Sequence, residues 1–173
     1  MKARIAILVA VFCAALPAAP ASAYSLLGQY WEDPVIDYYA SSPGEQTASR
    51  YAARAWNRAG TGLRFRRTTS RRRADVVVGT AGSGCGGMAI LGDRQARVRL
   101  GRCDARLTRL VATHEFGHVL GFGHERRRCA LMNVAFDQTG TPALCNRRPL
   151  SYWLASPFRA DDLRGARALR RQR

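Results

Sequence analysis

Apolar positions along the chain change their spacing several times, and each spacing predicts an element. Residues 35–39 form a compact, largely apolar run that reads as a short strand, closed by Ser41, Ser42, Pro43 and Gly44. From 45 to 59 the pattern turns helical: Ala48, Ala52, Ala55, Trp56 and Ala59 recur three or four apart, and Gly60 and Gly62 stop the helix. Residues 63–67 alternate as a half-buried strand does, whereas 75–79 carry three consecutive valines, as in a strand buried on both faces. The glycine-rich stretch 79–87 is a loop or turn, and with no Gly-Lys-Ser/Thr after it phosphate cradling has little support. Two more short strands, 88–91 and 97–100, precede a strong helix at 107–120 and a third at 157–169. No internal repeat and no interdomain linker interrupts this order, so strands and helices intermix in one α+β domain.

The first residues read as an address. Lys2 and Arg4 precede twelve apolar residues, 5–16, and Ala21-Ser22-Ala23 then offers a small-x-small cleavage site. A spanning helix needs about 20 apolar residues, so a membrane anchor does not fit. Phe12 directly before Cys13 argues against lipidation. The expectation is a signal peptide at 1–23, a secreted product, and one domain over 24–173 with no membrane association after cleavage.

Composition narrows the classes further. The chain has 173 residues, and its 47% hydrophobic content excludes a disordered polymer. With 28 basic and 12 acidic residues its formal charge is +16. Removal of 1–23 takes Lys2 and Arg4 and leaves 26 basic residues, all arginine, against 12 acids. They are spread along the chain, with short clusters at Arg71-Arg72-Arg73 and Arg126-Arg127-Arg128. No nucleic-acid-binding motif accompanies them, so no nucleic-acid partner is expected. The surface reads as a solvated basic face, one that still favours acidic substrates or anionic surfaces such as cell walls.

Four cysteines lie beyond the cleavage site: Cys85, Cys103, Cys129 and Cys145. An even count in an exported chain suggests two disulfides, with three connectivities open. Sequential pairing is preferred, each bond closing a short loop worth on the order of 3 kcal/mol. No pair has C-x-x-C spacing, which argues against a cysteine metal site.

The helix at 107–120 carries the chemistry. His114 and His118 are four apart and share one helix face, so both imidazoles can reach one ion. Gly121 can take a left-handed conformation, end the helix and let the chain return His124 to the same ion. Three nitrogens leave one tetrahedral position for water, the mark of a catalytic zinc site. Glu115, beside the first ligand, is placed to act as general base on that water. From average residue frequencies this constellation arises by chance at roughly one in a hundred thousand. The chain has only three histidines, and all of them fall at ligand positions.

The stretch 114–124, HEFGHVLGFGH, resembles the extended zinc signature of the metzincin endopeptidases. Met132, eight residues after His124, resembles their Met-turn, a hydrophobic floor under the metal. Within the metzincins, Ala74-Asp75-Val76-Val77-Val78 and the tail with Asp161, Asp162 and Gly165 are similar to the matrixin catalytic domain. That resemblance implies a zincin domain with a twisted mixed β-sheet, an active-site helix, a Met-turn and a C-terminal helix. It also implies a single catalytic zinc, protein or peptide substrates, and a monomeric metalloendopeptidase. In that family the paired aspartates serve structure, bonding beneath the Met-turn and to the N-terminal region.

The departures are informative as well. Val134 stands where astacin-like enzymes carry a tyrosine two residues after the methionine, so a tyrosine switch is absent. No histidine is left for a second zinc, and Asp93 and Asp104 are sparse substitutes for calcium ligands, which argues against calcium. No propeptide cysteine switch precedes the domain. The segment 133–153 is expected to build the specificity pocket, 88–91 to be an edge strand that binds peptide by strand addition, and Arg126-Arg127-Arg128 to form a solvated loop.

Overall fold

The computed structural model describes residues 24–28, 31–82, 84–137 and 139–173. Residues 1–23, expected to be a signal peptide, lie outside the described residues. Five strands, β1 (Val35–Ala40), β2 (Arg64–Arg67), β3 (Val76–Thr80), β4 (Gly87–Ile90) and β5 (Ala96–Leu100), form one sheet in the order β2-β1-β3-β5-β4. The first four in that order run parallel, and β4 closes the edge antiparallel to β5. Helices α1 (Pro43–Ala59) and α2 (Ala105–Val119) pack on one face of the sheet and on each other. A short α3 (Leu150–Ala155) and the terminal α4 (Ala160–Arg171) complete an α+β domain.

Alternation in the strands decides which side chains meet the helices. Ile36, Tyr38, Phe65, Val76, Val78 and Val98 are buried between the sheet and Trp56, Leu110 and Phe116 of the helices. Phe116 lies between two sheet aromatics, 4.7 Å from the Phe65 ring and 5.6 Å from the Tyr38 ring. Trp56 of α1 donates its indole N–H to the Thr113 carbonyl of α2 at 2.7 Å, which sets the two helices in register.

Several boundaries differ from the periodicity. Helix α1 begins two residues earlier than the apolar stripe because Ser42 caps it: its Oγ accepts from the Glu45 N–H while the Glu45 carboxylate accepts from the Ser42 N–H. Three-residue and six-residue helical pieces, Arg71–Arg73 and α3, are too short to show a period. Strand β3 is not buried on both faces. Val76 and Val78 point into the core, but Val77 is only half-buried, because among the described residues the long helices α1 and α2 cover the other face of the sheet.

Candidate metal centre and cleft

Helix α2 opens with Asp104, whose carboxylate accepts the Arg106 and Leu107 N–H groups. From there Leu107, Val111, His114, Glu115 and His118 form one stripe, and all five line a cleft of about 580 Å³. The helix ends where Gly121 adopts φ 96°, with the Phe122 N–H returning to the Gly117 carbonyl at 3.0 Å. The start of the described chain braces this turn: the Leu27 N–H donates to Gly121 O at 2.7 Å, and the Gly123 N–H to Ser25 O at 2.8 Å.

That turn brings the three imidazoles together. The Nε2 atoms of His114, His118 and His124 are 3.0, 3.2 and 3.3 Å apart. Ligands held tetrahedrally at the usual zinc–nitrogen distance lie about 3.3 Å from one another, so the donor set fits one zinc ion. The Nδ1–H groups of His114 and His118 donate to Leu131 O at 2.9 Å and Phe122 O at 2.7 Å, which leaves their Nε2 lone pairs facing inward. Burial lowers all three imidazole pKa values, His114 to about 3, so the neutral ligand form prevails. Among the described residues this is the one group of three or more His, Cys, Asp or Glu able to converge on an ion.

Glu115 lies in the same cleft, pressed against the edge strand. Burial raises its carboxyl to about 7, opposed by a hydrogen bond from the Ala89 N–H of β4. Gly87 makes this approach possible, since a Cβ there would meet the Glu115 side chain and Val111. Beneath the helix, Met132 is buried against Gly117, whose missing side chain leaves room for the thioether. The Leu131 and Met132 N–H groups donate to the Asp162 carboxylate at 2.9 and 3.2 Å. Asp161 instead pairs with Arg164 at 2.8 Å. The expected tie beneath the methionine is thus made by the second aspartate alone.

The wall opposite Glu115 comes from Val134, Ala135, Phe136 and Asp137. Phe136 sets its ring edge-on to His114 at 5.4 Å. Two disulfides form in the sequential pairing, Cys85–Cys103 and Cys129–Cys145, and Cys85 of the first lines the cleft. The first joins the loop before β4 to the residue preceding Asp104, and the second ties the segment after His124 to the far end of the wall. Arg126, Arg127 and Arg128 are exposed, while the neighbouring Glu125 is buried and accepts the Arg127 and Arg128 N–H groups. Sequence reasoning passed over Gly87 and Glu125, and named Phe136 only within the segment 133–153 expected to build the pocket. The stripe Leu107-Val111-His114-Glu115-His118, spaced at four, seven, eight and eleven, carried the legible signal on the helix side of the cleft.

A family model for Astacin, a peptidase family, matches residues 24–133. The chain belongs to the Astacin family. It is therefore a metalloendopeptidase, with a three-histidine group that fits one zinc ion. Among solved structures it is similar to high choriolytic enzyme 1, a hatching enzyme zinc-protease from Oryzias latipes (Medaka fish), at 20% identity. That match covers 79% of this chain and 89% of the other, with a TM-score of 0.52. Two structures of myroilysin match at 20% and 21% identity, with TM-scores of 0.45 and 0.44. They cover 62% and 65% of this chain, and 51% and 60% of theirs. Among curated proteins none gives a significant match.

Membership in the Astacin family confirms the metzincin expectation and corrects its finer branch, which is not matrixin. The matrixin reading rested on short segments outside the zinc motif, 74–78 and the tail with Asp161, Asp162 and Gly165, whereas the family match spans residues 24–133. Val134 is 55% exposed in the cleft wall.

Proposed function

We propose that the chain is a secreted, monomeric zinc endopeptidase in which His114, His118 and His124 hold the ion and Glu115 is the general base. The convergence of three inward-facing Nε2 atoms within 3.3 Å, in one cleft with the Glu115 carboxyl, carries this reading. When bound, zinc supplies Lewis acidity, polarising the scissile carbonyl and making water a nucleophile near neutral pH. Glu115 takes a proton from the attacking water and passes it to the leaving amine nitrogen. A cation beside it favours the ionised carboxylate, which offsets the upward push of burial.

Substrate lies along β4, the exposed antiparallel edge, whose backbone offers strand pairing across the cleft mouth. Leu107, Val111 and Phe136 give the recess beside the ligands an apolar lining, so an apolar residue next to the scissile bond is favoured. With valine at position 134, no phenolic hydroxyl comes from that place to the reacting carbonyl. Export through residues 1–23 agrees with two disulfides in the domain. The cleft is complete within one copy.

The test is casein cleavage by the purified chain without residues 1–23, with and without a zinc chelator, beside Glu115→Ala of measured zinc content. Cleavage lost on chelation, and absent from zinc-loaded Glu115→Ala, is the expected result. A chain that binds no zinc, or a zinc-loaded Glu115→Ala that cleaves normally, overturns it.

A further inference from the structure

Behind the cleft, the outer face of the sheet carries an arrangement that peptide hydrolysis does not use. The strand registers set Val77, Arg97 and Ile90 in one row across β3, β5 and β4, and Gly79, Arg99 and Met88 in the next. Arg97 and Arg99 are exposed, about 7 Å apart along β5. Two recesses of about 190 and 460 Å³ share Arg71 and Gln95 and together form a trough. Five arginines line it, Arg71, Arg72, Arg94, Arg97 and Arg99, and neither recess is lined by an acidic side chain.

These five take no part in the ion pairs found among the described residues, which engage Arg66, Arg147 and Arg164. Arg66, at the far side of the same face, is neutralised by Asp37 at 2.7 Å. Arg99 only reaches the Thr80 carbonyl, at 3.4 Å. Gly79 adds depth: a Cβ there would point into open space, with nothing within 4 Å. Guanidinium groups gathered without counter-charge repel one another, and an anion lying among them relieves that repulsion through forked hydrogen bonds.

We propose that this trough is an exosite for a linear acidic polysaccharide bearing sulfate or carboxylate groups, which holds the enzyme on a polymer while the cleft stays open. The charge calls for a polyanion, and arginines spread from Arg72 to Arg99 over two adjoining recesses suit a chain that spans both. No aromatic side chain lines either recess, so a single-stranded nucleic acid finds no stacking platform. The proposal draws on the export reading for where such a polymer is met, and on nothing in the cleft.

The experiment measures affinity for heparin, as the sulfated probe, against salt, with polyglutamate, a 20-nucleotide single-stranded DNA and phosphatidylglycerol vesicles in parallel. Two trough variants, Arg97→Glu/Arg99→Glu and Gly79→Glu, are compared with Arg50→Glu/Arg54→Glu, which makes the same charge change as the first on the exposed side of α1. Cleavage of a neutral peptide at wild-type rate reports that each variant is folded. Wild type binds heparin more tightly than the other three probes, and the trough variants weaken it at least tenfold at 0.15 M salt. The salt slope of the double trough variant falls by about two, and the α1 variant stays within about twofold of wild type. Equal losses in trough and α1 variants would reduce the effect to net charge and overturn the site. Tighter binding of polyglutamate, DNA or vesicles than of heparin would overturn the occupant.

Discussion

Gly87 on the edge strand and Glu115 on the active-site helix touch so closely that a Cβ on the glycine would lie 2.6 Å from Glu115 Oε1 and 2.7 Å from its Cγ. Val111 closes the same space at 2.8 Å. The position of the Glu115 carboxylate is therefore set by the absence of a side chain on the strand that faces it. Gly87→Ala moves the carboxylate, and misplacement of a reacting group by about 1 Å costs on the order of a hundredfold in rate. The expected result is kcat/KM lowered roughly 10- to 100-fold with zinc content unchanged. Full activity in this variant would show that Glu115 does not depend on the contact.

The raised carboxyl of Glu115 gives a stability signature with a definite sign. In the metal-free protein its pKa rises from 4.5 to about 7, so between those values the folded chain holds a proton that the unfolded chain has lost. Its contribution is fully present below pH 4.5 and is lost as pH rises through about 7. Glu115→Gln keeps the shape and cannot ionise. The advantage of metal-free Glu115→Gln over wild type should therefore grow between about pH 4.5 and pH 8, by at most about 3 kcal/mol. Urea unfolding at several pH values measures it, and an advantage that stays constant or shrinks would contradict the burial argument.

Asp162 holds the floor of the site from a distant helix. It accepts from Leu131, Met132 and Arg159 N–H groups, while Leu131 O in turn accepts from the His114 imidazole. Asp162→Ala leaves buried donors unpaired, a loss of about 2–4 kcal/mol in unfolding free energy. Zinc affinity should fall with it, because the carbonyl that orients His114 sits on the released turn. Zinc titration alongside thermal unfolding separates the two effects. A destabilised variant with wild-type zinc affinity would confine Asp162 to general stability.

The Cys129–Cys145 bond spans sixteen positions of chain around the cleft wall. Replacing both cysteines by alanine should cost about 3 kcal/mol. Asn133 offers a partial substitute tie, since its Oδ1 accepts the Leu144 N–H at 3.2 Å and its Nδ2 donates to the Glu125 and Arg128 carbonyls. The wall should thus loosen rather than unfold, seen as broader cleavage preference in a peptide library at unchanged zinc content. A preference identical to wild type would show that the bond does not shape the wall.

Some of this was readable in advance and some was not, for separable reasons. Ser42 and Glu45 stand at capping-box spacing, yet Ser41, Ser42, Pro43 and Gly44 also read as a turn, and only the reciprocal hydrogen bonds show where α1 starts. Three valines in β3 looked fully buried because hydrophobicity does not reveal whether a second layer exists to cover them. Phe136 carries no periodic signal at all. It reaches His114 because the Cys129–Cys145 bond and the Asn133 hydrogen bonds hold its loop against α2. The zinc motif was read as metzincin, and the Astacin branch was shown by the family match over residues 24–133.

By itself the sequence determined the donor set: two imidazoles four apart on a helix, a glycine to end it, a third imidazole and an adjacent carboxylate. Those relations are local, spanning eleven residues, and helical geometry converts them directly into positions in space. The tertiary structure alone decided which carbonyls orient the imidazoles, that Gly87 admits Glu115, and that Arg97 and Arg99 join Arg71, Arg72 and Arg94 in one trough. Each of these depends on strand register and helix packing between distant segments. A shift of one residue in a strand would turn the same side chains to the opposite face.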